Sequence, residues 1–130
     1  MLNIIALIPA RGGSTSIPSK NLIKLGNKPL LQWSIDTAKS ILPRNKIYVS
    51  SDDDKILNLA KKNKIKIQKR PKYLSTNNSL VIDTIDYFCK QIAKKSKPID
   101  ILILLEPTSP FRKINLIKKS LKRLIDENLD

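Results

Sequence analysis

Histidine is missing from this 130-residue sequence, and cysteine occurs once, as Cys89. Without histidine the chain forms neither a Ser-His-Asp nor a Cys-His catalytic centre, nor a histidine-ligated metal site. A single cysteine also excludes an internal disulfide and a cysteine-rich zinc site. Any chemistry must therefore use arginine, lysine, hydroxyl groups, carboxylates and backbone amides, which are the groups that hold phosphates and hard cations such as Mg²⁺.

Hydrophobic runs of membrane-spanning length are missing as well. The apolar run at 101–105 has the length of a buried strand, whereas a membrane helix needs about 20 apolar residues. The N-terminus enters an apolar stretch without a basic region or a small-residue cleavage site, so it does not resemble a secretory signal. We therefore expect a cytoplasmic protein without a membrane partner.

Acidic residues are scarce, since 11 Asp and Glu stand against 25 Lys and Arg and leave a net charge of +14. Such an excess favours a nucleic-acid binder, which is one alternative for this chain. Most of the lysines, however, fall on the surfaces of predicted helices or in short connections, as a solvated surface would have them. Aromatic residues make up only 5% of the chain and are too scattered to stack bases. We therefore expect no nucleic-acid partner.

Apolar periodicity predicts four strands alternating with four helices. The strands are predicted at 3–8, 47–50, 65–68 and 99–105, and the helices near 29–38, 54–60, 80–92 and 114–125. This alternation predicts an α/β fold in one domain, residues 1–130, with a mainly parallel sheet in a Rossmann-like three-layer sandwich. Ligands of such sheets bind beyond the carboxyl ends of the strands, so the loops after Ile8, Ser50 and Leu105 are expected to share one crevice.

The loop after the first strand, residues 9–14, reads Pro-Ala-Arg-Gly-Gly-Ser. Two adjacent glycines let backbone amides approach an anion closely. Arg11 adds a planar donor, Ser14 a hydroxyl and Lys20 a mobile charge, so the group is suited to phosphate binding. The spacing matches neither the Walker A loop nor the GxGxxG fingerprint, and the residues alone leave an ordinary surface loop open as the alternative.

The complete string is more informative than its parts. Residues 8–14, followed by Ile-Pro at 17–18 and Lys-Asn-Leu at 20–22, closely resemble the N-terminal signature of the acylneuraminate cytidylyltransferases. Val-Ser-Ser-Asp-Asp at 49–53, the segment 70–76 and Leu-Glu-Pro-Thr-Ser-Pro-Phe-Arg at 105–112 match three further segments of that family in the same order. The resemblance covers enzymes for sialic, legionaminic and pseudaminic acids and, more distantly, the CMP-KDO synthetases. It implies a fold of the nucleotide-diphospho-sugar transferase type.

The resemblance implies a transferase that joins CMP from CTP to an acidic nonulosonic sugar and releases pyrophosphate in a Mg²⁺-dependent step of surface glycan synthesis, in lipopolysaccharide or capsule. Arg11 and Lys20 are then implied as catalytic. The implied CTP-binding residues are Arg11, Gly12, Gly13, Ser14, Lys20, Asn21, Arg70 and Ser79. The implied sugar-binding residues are Glu106, Thr108, Ser109 and Arg112.

Alternatives remain for several of these residues. Arg70 also suits an exposed loop, Arg112 a loop anchor, and Ser79 a helix cap. Asp52 suits either a contact to the nucleotide or the cap of the following helix.

The sequence departs from the family pattern at Thr15-Ser16, at Glu106, at Asn77, where an Asp is common, and in length. Thr15-Ser16 stands where the family usually has Lys-Gly, which predicts weaker triphosphate binding. Glu106 replaces a glutamine, so it would repel an acidic sugar unless protonated or bridged by a cation.

Family members are longer, and their Mg²⁺ ligands and dimerisation arm would lie outside this chain. We therefore expect an incomplete domain with no metal ligand of its own, a homodimer only in the full-length form, and little transferase activity from the 130 residues alone. The alternatives are a catalytically inactive nucleotide-binding fragment and a CMP-KDO-type enzyme.

Overall fold

The structure, a computed structural model, describes residues 2–13, 20–76, 80–107 and 114–127. Its central sheet consists of four parallel strands in the order β5-β4-β1-β6. These strands are β1 (Ile4–Pro9), β4 (Ile47–Ser51), β5 (Lys66–Lys69) and β6 (Ile101–Leu104). The helices are α1 (Leu30–Lys39), α2 (Asp54–Lys62), α3 (Val81–Lys95) and α4 (Ile114–Asp126). A hairpin of β2 (Lys24–Leu25) and β3 (Lys28–Pro29) precedes α1.

Strand β1 is buried on both faces, which explains why its sequence is continuously apolar rather than alternating. Ala6 and Ile8 belong to one core cluster, which includes buried residues of α1 and α2 and the partly buried Ile117 of α4. Ile5 and Leu7 belong to a second cluster, with Phe88 and Ile92 of α3. Helices therefore cover both faces of the sheet, and the predicted three-layer sandwich is confirmed.

The order of the strands places a switch point at β1. From β1 the chain passes through α1 and α2 toward β5, and it then returns through α3 to β6 on the other side of β1. Because parallel crossovers are right-handed, the reversal of direction puts α3 on the face opposite α1 and α2. The crevice beyond the carboxyl ends of β4, β1 and β6 is where open α/β sheets bind ligands.

The register aligns the ends of the strands at this edge. Pro9 pairs with Ser50, Ser51 with Lys69, and Leu7 with Leu104. The loops that follow all four strands therefore open on one side of the sheet, as the sequence predicted for three of them.

The hairpin between β1 and α1 was not among the elements predicted from the sequence. Gly26, at φ +70°, forms its turn, a backbone conformation that glycine adopts without strain. Trp33 Nε1 donates to the carbonyl oxygen of Leu25 at 2.9 Å, and Lys28 Nζ lies 4.0 Å from the centre of the Trp33 ring. The hairpin is thus attached to α1, but its two-residue strands are too short to produce an alternating pattern in the sequence.

Within the described ranges, no helix combines the length and the apolar character that a membrane span requires.

Candidate functional site

The loop after β1 is attached to the end of β4. The N–H of Ala10 donates to the carbonyl oxygen of Ser50 at 2.9 Å, which extends the β1–β4 ladder one residue beyond the strand. Arg11 and Gly12, which follow, are half-buried, whereas Gly13 is exposed. The loop thus begins in a fixed position at the switch point and becomes accessible at Gly13.

Two side chains from elsewhere in the chain bind the peptide group between Arg11 and Gly12. Asn21 Nδ2 donates to the carbonyl oxygen of Arg11 at 2.9 Å, and the N–H of Gly12 donates to Asp52 Oδ1 at 2.9 Å. Asn21 belongs to the short 3₁₀ turn Lys20–Leu22, while Asp52 directly follows β4. Residues distant in sequence therefore meet at one peptide group.

The two glycines have different structural roles. A Cβ on Gly12 would lie 2.5 Å from Asp53 Cβ and 2.6 Å from Asp53 Oδ2, so no larger residue fits there without displacing the loop. Among the described residues, a Cβ on Gly13 would meet nothing within 4 Å. Gly12 is therefore required by packing against the start of α2, and Gly13 leaves an open approach for a ligand.

Asp53, not Asp52, caps α2. Its carboxylate accepts from the N–H of Lys55 at 2.8 Å, and its own N–H donates to Ser51 Oγ at 3.1 Å. The sequence left both aspartates open as the cap. Because Asp53 caps the helix, the carboxylate of Asp52 is directed to the glycine loop.

Arg70 is only 5% exposed, which corrects the alternative of an exposed loop arginine. Its guanidinium donates to the carbonyl oxygen of Ser50 at 3.0 Å and, at 3.4 Å each, to Ser50 Oγ and the carbonyl oxygen of Leu74. Burial lowers the pKa of Arg70, the negative charge of Asp52 raises it, and the positive charge of Arg11 lowers it. Arg70 therefore holds a positive charge near Arg11 and Asp52 while its hydrogen bonds go to neutral oxygens.

Gln68 is a member of this group that sequence reasoning missed. Its Oε1 accepts from Ser50 Oγ at 3.0 Å. Its Nε2 is buried and has no hydrogen-bond partner among the described residues. Strand β5 reads Lys-Ile-Gln-Lys, and a glutamine among lysines carries no sequence signal of burial.

The predicted site residues that the structure describes lie around the carboxyl edge of the sheet. Lys20 is half-buried at the start of the 3₁₀ turn. Glu106 is half-buried just beyond β6, where the N–H of Leu105 donates to the carbonyl oxygen of Leu7 at 3.0 Å. The remaining predicted residues, Ser14, Ser79, Thr108, Ser109 and Arg112, lie outside the described residues.

A separate groove of about 560 Å³ lies between the 3₁₀ turn Lys72–Leu74 and α3. Its lining residues are Tyr73, Leu74, Thr76, Asp83, Asp86, Tyr87 and Lys90. None of the predicted site residues within the described ranges lines this groove, so we place the candidate site at the glycine loop.

Known proteins resemble this chain in sequence and in fold. A family model described as "Cytidylyltransferase" matches residues 5–130. The chain is 36% identical over 108 residues to N-acylneuraminate cytidylyltransferase A of Danio rerio, covering 83% of this chain and 24% of that protein. It is 34% identical over 122 residues to the CMP-N,N'-diacetyllegionaminic acid synthase of Legionella pneumophila, covering 93% of this chain and 53% of that protein.

A solved CMP:2-keto-3-deoxy-manno-octonic acid synthetase complexed with CTP superimposes with a TM-score of 0.75 at 21% identity, over 97% of this chain and 48% of that chain. This likeness supports the fold. The chain spans between about a quarter and about half of the length of these relatives.

Proposed function

This chain belongs to the cytidylyltransferase family, and from that premise we propose that it serves the transfer of CMP from CTP to an acidic nonulosonic sugar. Two relatives are named for such sugars, N-acylneuraminate and N,N'-diacetyllegionaminic acid. In the reaction a sugar hydroxyl group gives up its proton to water, and its oxygen bonds to the α-phosphorus of CTP. The bond from that phosphorus to the oxygen bridging the β-phosphate breaks, and pyrophosphate leaves.

The observation that carries the proposal is the pair of arginines, Arg11 and Arg70, at the β1 switch point, with the carboxylate of Asp52 near them. Arg11 and Arg70 place two positive charges beside a loop whose exposed glycine leaves its backbone accessible. Phosphoryl transfer depends mainly on positioning and on neutralising charge, and these groups provide both. Arg11 and Lys20 would stabilise the departing pyrophosphate, and Glu106 would face the sugar from the end of β6.

We include Mg²⁺ in the proposal as the cation that neutralises the triphosphate. Among the described residues no three Cys, Asp or Glu side chains form a group that could hold a metal ion. These residues by themselves do not fit a metal centre, and we derive no step through one. We propose that the Mg²⁺ ligands and the homodimer contacts belong to parts of the protein outside residues 1–130.

We also propose that the protein acts in the cytoplasm, in the synthesis of lipopolysaccharide or capsule. We propose no nucleic-acid partner for it.

Titration calorimetry of the purified chain tests the nucleotide half of this proposal. We expect CTP with Mg²⁺ to bind more tightly than UTP or GTP, and Arg11→Ala to weaken CTP binding about tenfold because a charged donor is lost. Arg44→Ala is the matched control, since Arg44 is exposed and donates to the carbonyl oxygen of Asn63 at 3.2 Å, away from the loop. No heat with CTP, or equal effects of the two substitutions, would contradict the proposal.

Pyrophosphate release tests the transfer half. The assay contains CTP and either N-acetylneuraminate, a legionaminate, a pseudaminate or KDO. Because the chain covers only 24% to 53% of its relatives, a second candidate is nucleotide binding without transfer. Binding of CTP without turnover on any of the four sugars supports that second candidate, whereas turnover on one of them identifies the sugar class.

A further inference from the structure

The peptide group between Arg11 and Gly12 is hydrogen-bonded at both of its polar atoms. Asn21 Nδ2 binds its oxygen and Asp52 Oδ1 binds its N–H, each at 2.9 Å. A peptide group is planar, so a rotation of it would break both hydrogen bonds together. The two side chains therefore restrain the orientation of this plane, and with it the positions of the Cα atoms of Arg11 and Gly12 at its two ends.

We propose that Asp52 is a positioning residue for the nucleotide loop, which acts on the bound triphosphate through the N–H of Gly12 and without touching the ligand. This inference rests on the proposed function, because it assumes that the loop binds CTP. Asp52 and Asn21 hydrogen-bond the two polar atoms of one peptide group, and we call this arrangement the peptide clamp.

Three neighbouring contacts support the assignment. The N–H of Ala10 is fixed to the carbonyl oxygen of Ser50 at 2.9 Å, so the loop is anchored immediately before the clamp. Asp53 caps α2 through the N–H of Lys55 at 2.8 Å, so the cap does not need Asp52. Gly12 packs directly against Asp53, which leaves the loop no room to move toward α2. Asp52 is thus the remaining restraint on the N–H of Gly12.

The charge of Asp52 supports the same role. It raises the pKa of the buried Arg70, opposing the effects of burial and of Arg11. A carboxylate in this position offsets the repulsion between two arginines while no anion is present. The hydrogen bond to Gly12, however, requires only an acceptor oxygen, and an amide oxygen supplies one.

Affinity measurements with two probes separate positioning from direct contact. The probes are CTP with Mg²⁺ and inorganic tripolyphosphate, which lacks the nucleoside. We expect Asp52→Ala to weaken both about tenfold, because a hydrogen bond to a charged group is lost and the loop is released. We expect Asp52→Asn to bind both probes within about threefold of the parent chain, because its Oδ1 still accepts from Gly12.

Asp54→Asn is the matched control. It removes the same charge two residues later, but Asp54 is 78% exposed and pairs only with the exposed Lys69 at 3.3 Å among the described residues. We expect it to leave both affinities unchanged. Circular dichroism checks that each variant folds. If Asp52→Ala does not fold, the comparison of Asp52→Asn with the parent chain still tests the proposal.

The other outcomes overturn the proposal. Loss of CTP binding with unchanged tripolyphosphate binding would show that Asp52 touches the nucleoside. Tripolyphosphate binding more than about threefold tighter in either Asp52 variant would show that the carboxylate competes with the phosphate for the loop. A tenfold loss in Asp52→Asn would show that the charge, not the acceptor, is what matters. If the parent chain binds neither probe, the proposed function fails, and this inference with it.

Discussion

Arg70 donates to the carbonyl oxygen of Ser50 at 3.0 Å, so a side chain from the loop after β5 is fixed to the carboxyl end of β4. The same carbonyl oxygen accepts from the N–H of Ala10 at 2.9 Å, which attaches the loop after β1. One backbone oxygen thus joins three segments at the candidate site, and its two lone pairs are both used. The integrity of the site and the stability of the fold are therefore coupled at Ser50.

Arg70→Ala should lower the free energy of unfolding by about 2–4 kcal/mol, because a buried side chain and its hydrogen bonds to Ser50 and Leu74 are lost. Urea unfolding followed by circular dichroism measures this difference. Arg70→Lys should recover only part of it, since an ammonium does not reproduce the planar set of donors.

Arg123→Ala is the control for Arg70. Arg123 is 73% exposed and pairs with Glu127 on the surface of α4 at 2.9 Å, so its removal should change the free energy by less than about 0.5 kcal/mol. Equal losses from Arg70 and Arg123 would contradict the buried role of Arg70.

Gly12→Ala and Gly13→Ala form a matched pair of substitutions in one loop. At Gly12 the new methyl group would overlap Asp53, at 2.5 Å from its Cβ, so we expect both a lower melting temperature and weaker CTP binding. At Gly13 the methyl group would contact none of the residues that the structure describes, and stability should stay within about 0.5 kcal/mol of the parent chain. Thermal unfolding distinguishes the two, and a larger loss at Gly13 would argue against the described loop.

Asp53→Ala should lower the free energy of unfolding by about 1 kcal/mol, because the N–H of Lys55 loses its capping acceptor. Asp53→Asn should keep most of that stability, since asparagine caps helices about as well as aspartate. Urea unfolding of the two variants side by side is the measurement. Equal losses in Asp53→Asn and Asp53→Ala would mean that the charge of Asp53, not its capping oxygen, provides the stability.

The main sheet and its helices could be predicted because the strands contain short apolar runs and the apolar residues of the helices recur at helical spacing. Strand β1 and helix α3 lie within a few residues of their predicted positions. The position of Arg70 could not be predicted, because between Lys69 and Pro71 it looks like a surface residue. Its burial depends on the carbonyl oxygen of Ser50, which only the pairing of β4 with β5 brings within reach.

The roles of Asp52 and Asp53 were also undecidable from the sequence. Both residues precede α2 at positions where a capping carboxylate is acceptable. Contacts with the glycine loop, 40 positions earlier in the chain, give the two residues different roles. Gly12 donates a hydrogen bond to Asp52 and packs against Asp53. Tertiary contacts therefore decide which aspartate caps the helix and which binds the loop, a choice that the local sequence pattern leaves open.

The ion pair of Lys28 and Asp36, at 2.7 Å, makes part of the stability dependent on pH. Burial alone would raise the pKa of Asp36, but the hydrogen bonds from Lys28 and Gln32 and the charges of Lys28 and Lys39 outweigh it and lower the pKa. A carboxyl whose pKa is lowered on folding stabilises the protein above its unfolded pKa, about 3.9, and loses that contribution as the pH falls through the folded value.

Lys28→Met should therefore destabilise the chain more at pH 7 than at pH 3. The contact of Lys28 with the Trp33 ring does not titrate, so a part of the difference should persist at low pH. Urea unfolding of both proteins at the two pH values gives the comparison. An equal or larger difference at pH 3 would show that the pair with Asp36 contributes nothing.

The peptide clamp predicts a specific non-additivity between Asn21 and Asp52. Each side chain restrains the same planar peptide group, so once one hydrogen bond is lost the other restrains it less well. Asn21→Ala and Asp52→Ala should each weaken tripolyphosphate binding, and the double variant should lose less affinity than the product of the two single losses. The pair Asp52→Ala and Arg44→Ala serves as the reference, because Arg44 lies outside the loop and its effect should be additive. Two restraints on one rigid group are not expected to have separate effects. Additive losses of affinity for Asn21 and Asp52 would therefore contradict the peptide clamp, because they would mean that the two side chains act independently.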